Sequence, residues 1–427
     1  MLLPDPLKSF LQKLTEQSLP AHSPLSEEEQ YVPPTFAKEA SIEVVEGPEE
    51  RFAPIEVKDQ TRKIKFEAFL DGIQRTVLWR RIPLSTGALV PLHIAHIAAA
   101  VILRTEDGQL FMDKELIAAR LLLLGPFEGM KREGMELDVP SEALKDTDSK
   151  TFGFPKDLNE WVLCDTTFRG TEEDRNQRTE GAITGGELFN EGLIRSRAQG
   201  RVAILRQRLE FAVLARFRAK YPEKWVLVDG PLFFIDKWRR RAANVLGNDL
   251  GETREGLFED KLLYRAVGLI KSHRLRPKRP DQVMRIGLIQ CSLVARLSQE
   301  VDMKGRREMP DEEGPYGGAH LTWYTRLRGR SQPPYGLLGL IRLDVHRATF
   351  GIKRSDALNP DKFEEYCALI DAITQATWRE RWPAFRRGDD YRSAAEPYPI
   401  HQVEQALKAM VLPRRFLAYL LVETGQR

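Results

Sequence analysis

The sequence predicts an α/β fold, in which a mixed sheet is flanked by helices, for most of a chain of 427 residues. Strand-like segments alternate with helix-like segments along the chain, which is typical of α/β proteins. Consecutive strand-like segments between residues 64 and 103 favour a mixed sheet over a purely parallel one. Residues 187–220 repeat apolar side chains with a period near 3.6, as a helix packed on a sheet does.

The elements are predicted in order from the N-terminus. An amphipathic helix over residues 6–18 aligns four apolar side chains on one face: Leu7, Phe10, Leu11 and Leu14. A linker rich in Pro, Ser and Glu follows, so we expect residues 1–55 to be an N-terminal region and 56–427 the main domain. Strands are expected at 64–70, 77–82, 91–103, 225–228, 267–271, 321–328 and 337–345. Helices are expected at 114–124, 187–220, 257–266, 281–298, 361–373 and from about residue 399.

Composition excludes several classes of protein. The chain has 65 Lys and Arg against 62 Asp and Glu, so bulk charge gives no case for nucleic-acid binding. Three widely separated cysteines argue against a disulfide framework and fit a reducing cytoplasm. No apolar run reaches the roughly 20 residues of a membrane span, so no membrane association is expected. The sequence has no Walker A motif, so any ATP hydrolysis would come from a partner.

Three acidic residues are the best candidates for chemistry. Asp71 and Asp229 each follow a predicted buried strand and precede a glycine, which favours a position at the rim of the sheet. Glu210 lies among apolar neighbours on the helix before the second of these strands. If the three carboxylates converge, a hard divalent cation such as Mg²⁺ or Mn²⁺ would relieve their repulsion. Taken singly, an Asp-Gly pair can be an ordinary turn and a helical Glu can be solvated.

The chain resembles the NurA family of nucleases, which act in DNA double-strand break processing. The resemblance spans roughly residues 60–415, and the motifs that carry it lie at 66–72, 208–210, 226–232, 268–271, 323–327 and 398–399. It implies a ribonuclease-H-like core and a manganese-dependent nuclease with 5′-to-3′ exonuclease and single-strand endonuclease activity. It also implies a homodimer that works with HerA, a hexameric ATPase.

The resemblance further implies that Asp71, Glu210 and Asp229 are metal ligands and that Tyr324 lies beside them. Two positions depart from the family pattern. Ile73 stands where a serine is common. A histidine expected early in the last helix aligns with Glu404, while the nearby His401 is offset. Because His401 and Glu404 are three residues apart, they share a helical face, and either could ligate the metal.

Basic residues provide candidate contacts to phosphate. Lys271 ends a predicted strand, and its ammonium could offset charge on a phosphate during hydrolysis. Other candidate DNA contacts lie in the basic runs 237–241 and 272–279 and on the strand over 321–328: Arg239, Arg240, Arg274, Arg276 and Arg326. Each basic run could equally be a solvated surface.

The predicted reaction is hydrolysis of a phosphodiester assisted by two cations about 3.5–4 Å apart, with Asp71 bridging them. A rival interpretation is a non-catalytic DNA-binding or scaffold subunit of a HerA-type translocase complex, which Ile73 and the offset His401 favour. A nuclease acting on RNA is a second rival. The N-terminal helix could dock the ATPase, close a dimer or cap the core.

Overall fold

A computed structural model describes most of the chain. The described residues are 4–20, 38–39, 41–44, 54–59, 63–140, 144–158, 160–168, 182–232, 261–271, 275–276, 279–299, 320–329, 336–352, 363–383 and 394–419. Within them the protein is α/β, with one large mixed sheet flanked by helices, as the alternation of strand-like and helix-like segments predicted.

An antiparallel meander of three long strands forms one half of the sheet. These strands are β5 (Ala68–Pro83), β6 (Leu89–Arg104) and β7 (Leu110–Gly125). Strand β8 (Glu160–Asp165) adds parallel to β7 at the edge. The middle of β6 is buried on both faces, which explains its nearly continuous apolar sequence.

The other half of the sheet grows from the opposite side of β5. Strands β9 (Val226–Asp229) and β10 (Ala266–Ile270) run parallel to β5. Strand β15 (Leu340–His346) runs antiparallel to β10, and β14 (His320–Arg326) runs antiparallel to β15. The order across the sheet begins with two short strands, β3 (Ser41–Val44) and β13 (Ala295–Gln299), and continues with β14, β15, β10, β9, β5, β6, β7 and β8. The remaining strands are short: β1 (Leu19–Pro20), β2 (Lys38–Glu39), β4 (Ile55–Glu56), β11 (Leu275–Arg276) and β12 (Gln290–Cys291).

Helices cover both faces of the sheet. Helix α4 (Glu191–Lys220) packs on one face, across β5, β6 and β7. Helices α6 (Phe363–Arg379) and α7 (Tyr398–Met410) contribute to the apolar cluster on the other face. The remaining helices are short or peripheral: α1 (Asp5–Glu16), α2 (Phe127–Arg132), α3 (Asp148–Phe152), α5 (Pro280–Met284) and α8 (Arg414–Tyr419).

Helix α1 belongs to the main core and is not a separate N-terminal unit. Its four predicted apolar side chains are buried in one cluster with residues of β5, β6 and β7, and β1 pairs with the far end of β5. The apolar face of α1 therefore caps the core, which is one of the three roles left open by the sequence. Strand β3, which precedes the boundary predicted at residue 55, and strand β4, which begins at that boundary, both pair within the main sheet.

Several predicted elements are wrong. Residues 114–124, predicted as a helix, belong to strand β7. The run is rich in Leu and Ala, which favour helices, but burial in the sheet overrides that preference. Residues 281–298 hold a short helix followed by two strands instead of one helix. Residues 261–265, which are the described end of the helix predicted at 257–266, include turns. The two strands predicted at 64–70 and 77–82 are not separate, because residues 68–70 and 77–82 belong to the single strand β5.

Candidate active site

Asp71 and Asp229 lie side by side on neighbouring parallel strands. The register of β5 and β9 pairs Leu70 with Val228, so the next residue on each strand is an aspartate. Only β9 ends here, and Gly230 follows it with a φ of 117°. The prediction that Asp71 also ends a strand is wrong, because β5 continues to Pro83. The register therefore places Asp71 and Asp229 on adjacent strands, where the charge of Asp229 raises the pKa of Asp71.

Glu210 approaches the strand next to Asp71 from helix α4. It projects from helix α4 over Gly72, and a Cβ atom at Gly72 would collide with the Glu210 carboxylate. Gly72 is therefore required for the close approach of this helix to the strand and not for a turn. Arg206, one turn earlier on α4, pairs with Glu210 and donates to the carbonyl of Gly72 at 3.1 Å.

Lys271 completes this group from the strand next to β9. Its Nζ atom lies 2.8 Å from Asp229 Oδ2 and 3.3 Å from Glu396 Oε1. One ammonium thus bridges two carboxylates from distant parts of the chain. Sequence analysis did not select Glu396, which lies in the short segment before α7. Its position directly before the Pro-Tyr-Pro of residues 397–399 was the one available signal.

The first turns of α7 bring two further candidates to Glu396. His401 Nδ1 lies 3.6 Å from Glu396 Oε2, and Glu404 pairs with Lys408 at 2.8 Å. Glu396, His401 and Glu404 each offer a ligand atom, and these atoms all lie within 4.8 Å of one another. Both His401 and Glu404 therefore face the same cluster, which agrees with their predicted common helical face.

Burial and mutual repulsion perturb the acids. Burial raises the pKa of Asp71 well above its usual value, and the negative charges of Asp229 and Glu210 raise it further. Burial also raises the pKa of Glu210 to about 7, although Arg206 opposes the shift. Burial lowers the pKa of Lys271, but the charges of Asp229 and Glu396 outweigh it, so the net pKa is raised. The Lys271 ammonium therefore remains charged beside Asp229 and Glu396.

The donor set fits a hard divalent cation. Asp71, Glu210 and Asp229 supply only oxygen atoms, the ligands that Mg²⁺ and Mn²⁺ prefer, and the charges of Asp229 and Glu210 both act on Asp71. Among the described residues, the group whose possible ligand atoms all lie within 4.8 Å of one another is Glu396, His401 and Glu404, and it does not include these three acids. A cavity of about 60 Å³ next to them is bordered by both Glu210 and Asp229. Among the described ion pairs, Arg206 contacts Glu210, Lys271 contacts Asp229 and Glu396, and Lys408 contacts Glu404.

Tyr324, which was predicted to lie beside the acids, is on a strand three positions away from β9 in the sheet. It is fully buried on β14, which is separated from β9 by β15 and β10, on the order of 14 Å at ordinary strand spacing. Its paired neighbour on β15 is Arg342, which forms an ion pair with Asp344. Tyr324 is therefore part of a buried polar network on the sheet.

Arg326 is likewise a structural residue, and its prediction as a DNA contact is wrong. Its side chain is fully buried, and its guanidinium donates to four backbone carbonyls, including that of Ile286 at 2.7 Å. Arg276 lies in β11, which pairs with β2. The other predicted DNA contacts, Arg239, Arg240 and Arg274, lie outside the described residues.

Comparisons with known proteins identify no relative. No family model matches the sequence, and no curated protein matches it significantly. The resemblance to the NurA family therefore rests on the motifs quoted above. Within the part of the chain that the structure describes, no helix combines the length and apolarity that a membrane span requires.

Proposed function

We propose that this protein is a divalent-metal-dependent nuclease that hydrolyses phosphodiester bonds in DNA. The observation that carries the proposal is the grouping of three acids, with Asp71 and Asp229 next to each other on paired strands and Glu210 over Gly72 on a neighbouring helix. Buried carboxylates that repel one another are destabilising unless a cation joins them. Such a cluster therefore favours a metal site over a purely structural role.

The topology around the acids supports a ribonuclease-H-like core. The strand order β7-β6-β5-β9-β10 extends an antiparallel meander by two strands that run parallel to its first strand. The first acid lies on the first strand of the meander, the second on the helix before β9, and the third at the end of β9. This is the arrangement expected of that core, and it agrees with the order of motifs that resembles NurA.

The chain's own residues have distinct roles in the proposed reaction. Asp71, Glu210 and Asp229 hold Mn²⁺ or Mg²⁺, with Glu404 or His401 as a further ligand. Divalent cations bound there lower the pKa of water and offset charge on the scissile phosphate. Lys271 places an ammonium beside Asp229, where it offsets charge that develops on the phosphate. Ile73, two residues after Asp71, is partly buried and packs against the apolar cluster that includes α7.

The finer parts of the proposal depend on the resemblance alone. They are DNA end resection by 5′-to-3′ exonuclease and single-strand endonuclease action, a preference for manganese, a homodimer, and a HerA-like hexameric ATPase as partner in the cytoplasm. Because α1 is buried in the core, its apolar face is not the surface that would bind the ATPase.

A digestion assay tests the proposal directly. Purified protein should cleave linear and single-stranded DNA with Mn²⁺ or Mg²⁺ and not with EDTA. Asp71→Ala and Asp229→Ala should each lower the rate by at least about 10²-fold, the scale for loss of one preorganised charged group. Asp371→Asn is the control, since Asp371 is buried elsewhere and accepts a backbone N–H of Lys58 at 3.3 Å. Its activity should be retained.

The non-catalytic alternative is favoured by one feature of the site. Arg206 and Lys271 already pair with Glu210 and Asp229, so the cluster is partly neutralised without a metal. On that view the protein binds DNA as a subunit of a translocase complex. DNA binding without cleavage under every metal condition would support this alternative. Cleavage of RNA in preference to DNA would instead support an RNA nuclease.

A further inference from the structure

We propose that Glu396 is a positioning residue that holds Lys271 beside the metal site and keeps its ammonium from competing with the cation for Asp229. This inference rests on the proposed metal site. It assigns a role to a residue that no sequence motif selected. It also predicts a coupling between two side chains that can be measured without DNA cleavage.

The geometry connects Glu396 to both sides of the site. Its Oε1 atom accepts the Lys271 ammonium at 3.3 Å, while its Oε2 atom faces His401 Nδ1 at 3.6 Å. Its side chain is only 5% exposed, so the carboxylate has little water to replace either contact. Glu396 thus links the end of β10 to the start of α7.

The backbone around Glu396 is fixed by its neighbours. Arg328 donates to the carbonyl of Glu396 at 2.7 Å, and the N–H of Tyr398 donates to the carbonyl of Glu380 at 2.8 Å. The carboxylate is therefore presented from a held segment and not from a free loop. A held carboxylate can set the position of a flexible lysine side chain, which has several rotatable bonds.

The two carboxylates that share Lys271 differ in what a cation would do to them. Asp229 is a proposed ligand, so a bound divalent cation would neutralise it and repel the nearby ammonium. The Lys271 ammonium also lies within ion-pair distance of Glu396 Oε1, at 3.3 Å. Lys271 would then move toward Glu396 and remain adjacent to the phosphate. Without the Glu396 charge, Lys271 stays on Asp229 and opposes cation binding.

A double-mutant cycle on Mn²⁺ affinity tests the inference. The dissociation constant of Mn²⁺ is measured by calorimetry, without DNA, for the wild type, Glu396→Gln, Lys271→Met and the double variant. Glu396→Gln should weaken binding by about 10-fold, the scale for residues that orient metal ligands. In the Lys271→Met background, the same change should weaken it by no more than about 2-fold, because the competing ammonium is absent.

The outcomes separate this inference from the proposed function. An equal loss of Mn²⁺ affinity in both backgrounds would show that Glu396 acts as a ligand or a structural residue, and no loss in either would show that it has no role. Either result overturns the inference and leaves the nuclease proposal standing. Failure of the wild type to bind Mn²⁺ would contradict both. Glu380→Gln is the matched control, since Glu380 is a similarly buried glutamate paired with Arg104, and it should leave Mn²⁺ affinity unchanged.

In the active enzyme, Glu396→Gln should lower kcat for DNA by about 10-fold with little change in KM at saturating Mn²⁺, because the ammonium is misplaced and not lost. Glu396→Asp should restore part of the rate, since it keeps the charge. A variant with unchanged kcat and raised KM would contradict the positioning role.

Discussion

The candidate active site and the polar network of β14 and β15 bury charged groups in opposite ways. In the network, Arg342 donates two hydrogen bonds of 3.0 Å to Asp344, and Thr322 donates a third of 2.7 Å. Each charge there has a dedicated partner. At the candidate site, one ammonium serves both Asp229 and Glu396, and Asp71 has no partner of this kind among the described ion pairs.

This difference is what the proposed metal site predicts, because charges that maintain the fold have matched partners and charges that bind a cation need not. Removal of one member of a buried ion pair strongly lowers the free energy of unfolding, because the other charge stays buried without a partner. A buried cluster with excess negative charge gains stability when a charge is removed or a cation is added. The two regions should therefore respond to substitution with opposite signs.

The largest expected effect is on the matched pair. Arg342→Met leaves Asp344 buried without its cation, so the free energy of unfolding should fall by about 3–5 kcal/mol. Chemical denaturation followed by circular dichroism measures it. Lys220→Met is the control, because Lys220 forms only exposed pairs with Asp113 and Glu115 and should change stability little. A negligible effect of Arg342→Met would remove the distinction between the two regions.

The next effect is the pH dependence of stability at the candidate site. The pKa of Glu210 is raised from 4.5 to about 7, so the folded state binds its proton more tightly than the unfolded state. Glu210 therefore contributes most stability below pH 4.5, and this contribution is lost as the pH rises to about 7. In EDTA, Glu210→Gln should gain stability relative to the wild type across this window, by up to about 3 kcal/mol. A constant difference between the two proteins from pH 4.5 to 7 would contradict the shift.

Addition of a divalent cation should stabilise the folded protein, because the cation offsets the repulsion among the acids of the candidate site. At a free Mn²⁺ concentration about 100 times its dissociation constant, the free energy of unfolding should rise by about 2.7 kcal/mol. The rise should be absent in Asp71→Asn and should remain in Arg342→Met. Thermal unfolding with and without Mn²⁺ at pH 7.5 provides the comparison. An equal rise in Asp71→Asn would place the cation elsewhere.

The smallest effect concerns Asp71 itself. Asp71→Asn keeps the shape of the side chain and an oxygen that can accept the Gly72 N–H, which lies 2.7 Å from Asp71 Oδ1. It also removes repulsion from Asp229 and Glu210, so the metal-free protein should be more stable by on the order of 1 kcal/mol at pH 7.5. Denaturation in EDTA measures it. A loss of stability would mean that the Asp71 charge serves the fold.

The sequence predicted the α/β class and much of the candidate site, and the failures have physical causes. Asp229 was found because a short apolar strand ends at an Asp-Gly pair, and this is how β9 ends. The same pattern misplaced the end of the first strand, because Gly72 makes room for Glu210 and does not form a turn. Local patterns cannot distinguish these two uses of glycine.

Other failures arise from tertiary contacts that no local pattern records. Arg326 alternates with Arg328 like an exposed basic row, yet backbone carbonyls from separate segments bury it. Glu396 precedes a helix in a segment without periodicity, so only the fold reveals its contact with Lys271. The N-terminal helix was recognised from its apolar face, but the sequence could not show which surface that face covers.

The most direct test of the central claim is a crystal structure of the protein soaked in Mn²⁺, with the ion located by anomalous diffraction. The account predicts a manganese peak coordinated by carboxylate oxygens of Asp71, Glu210 and Asp229, with Lys271 displaced from Asp229 toward Glu396. A structure in which these three carboxylates bind no ion, while manganese occupies another place or none, would contradict it.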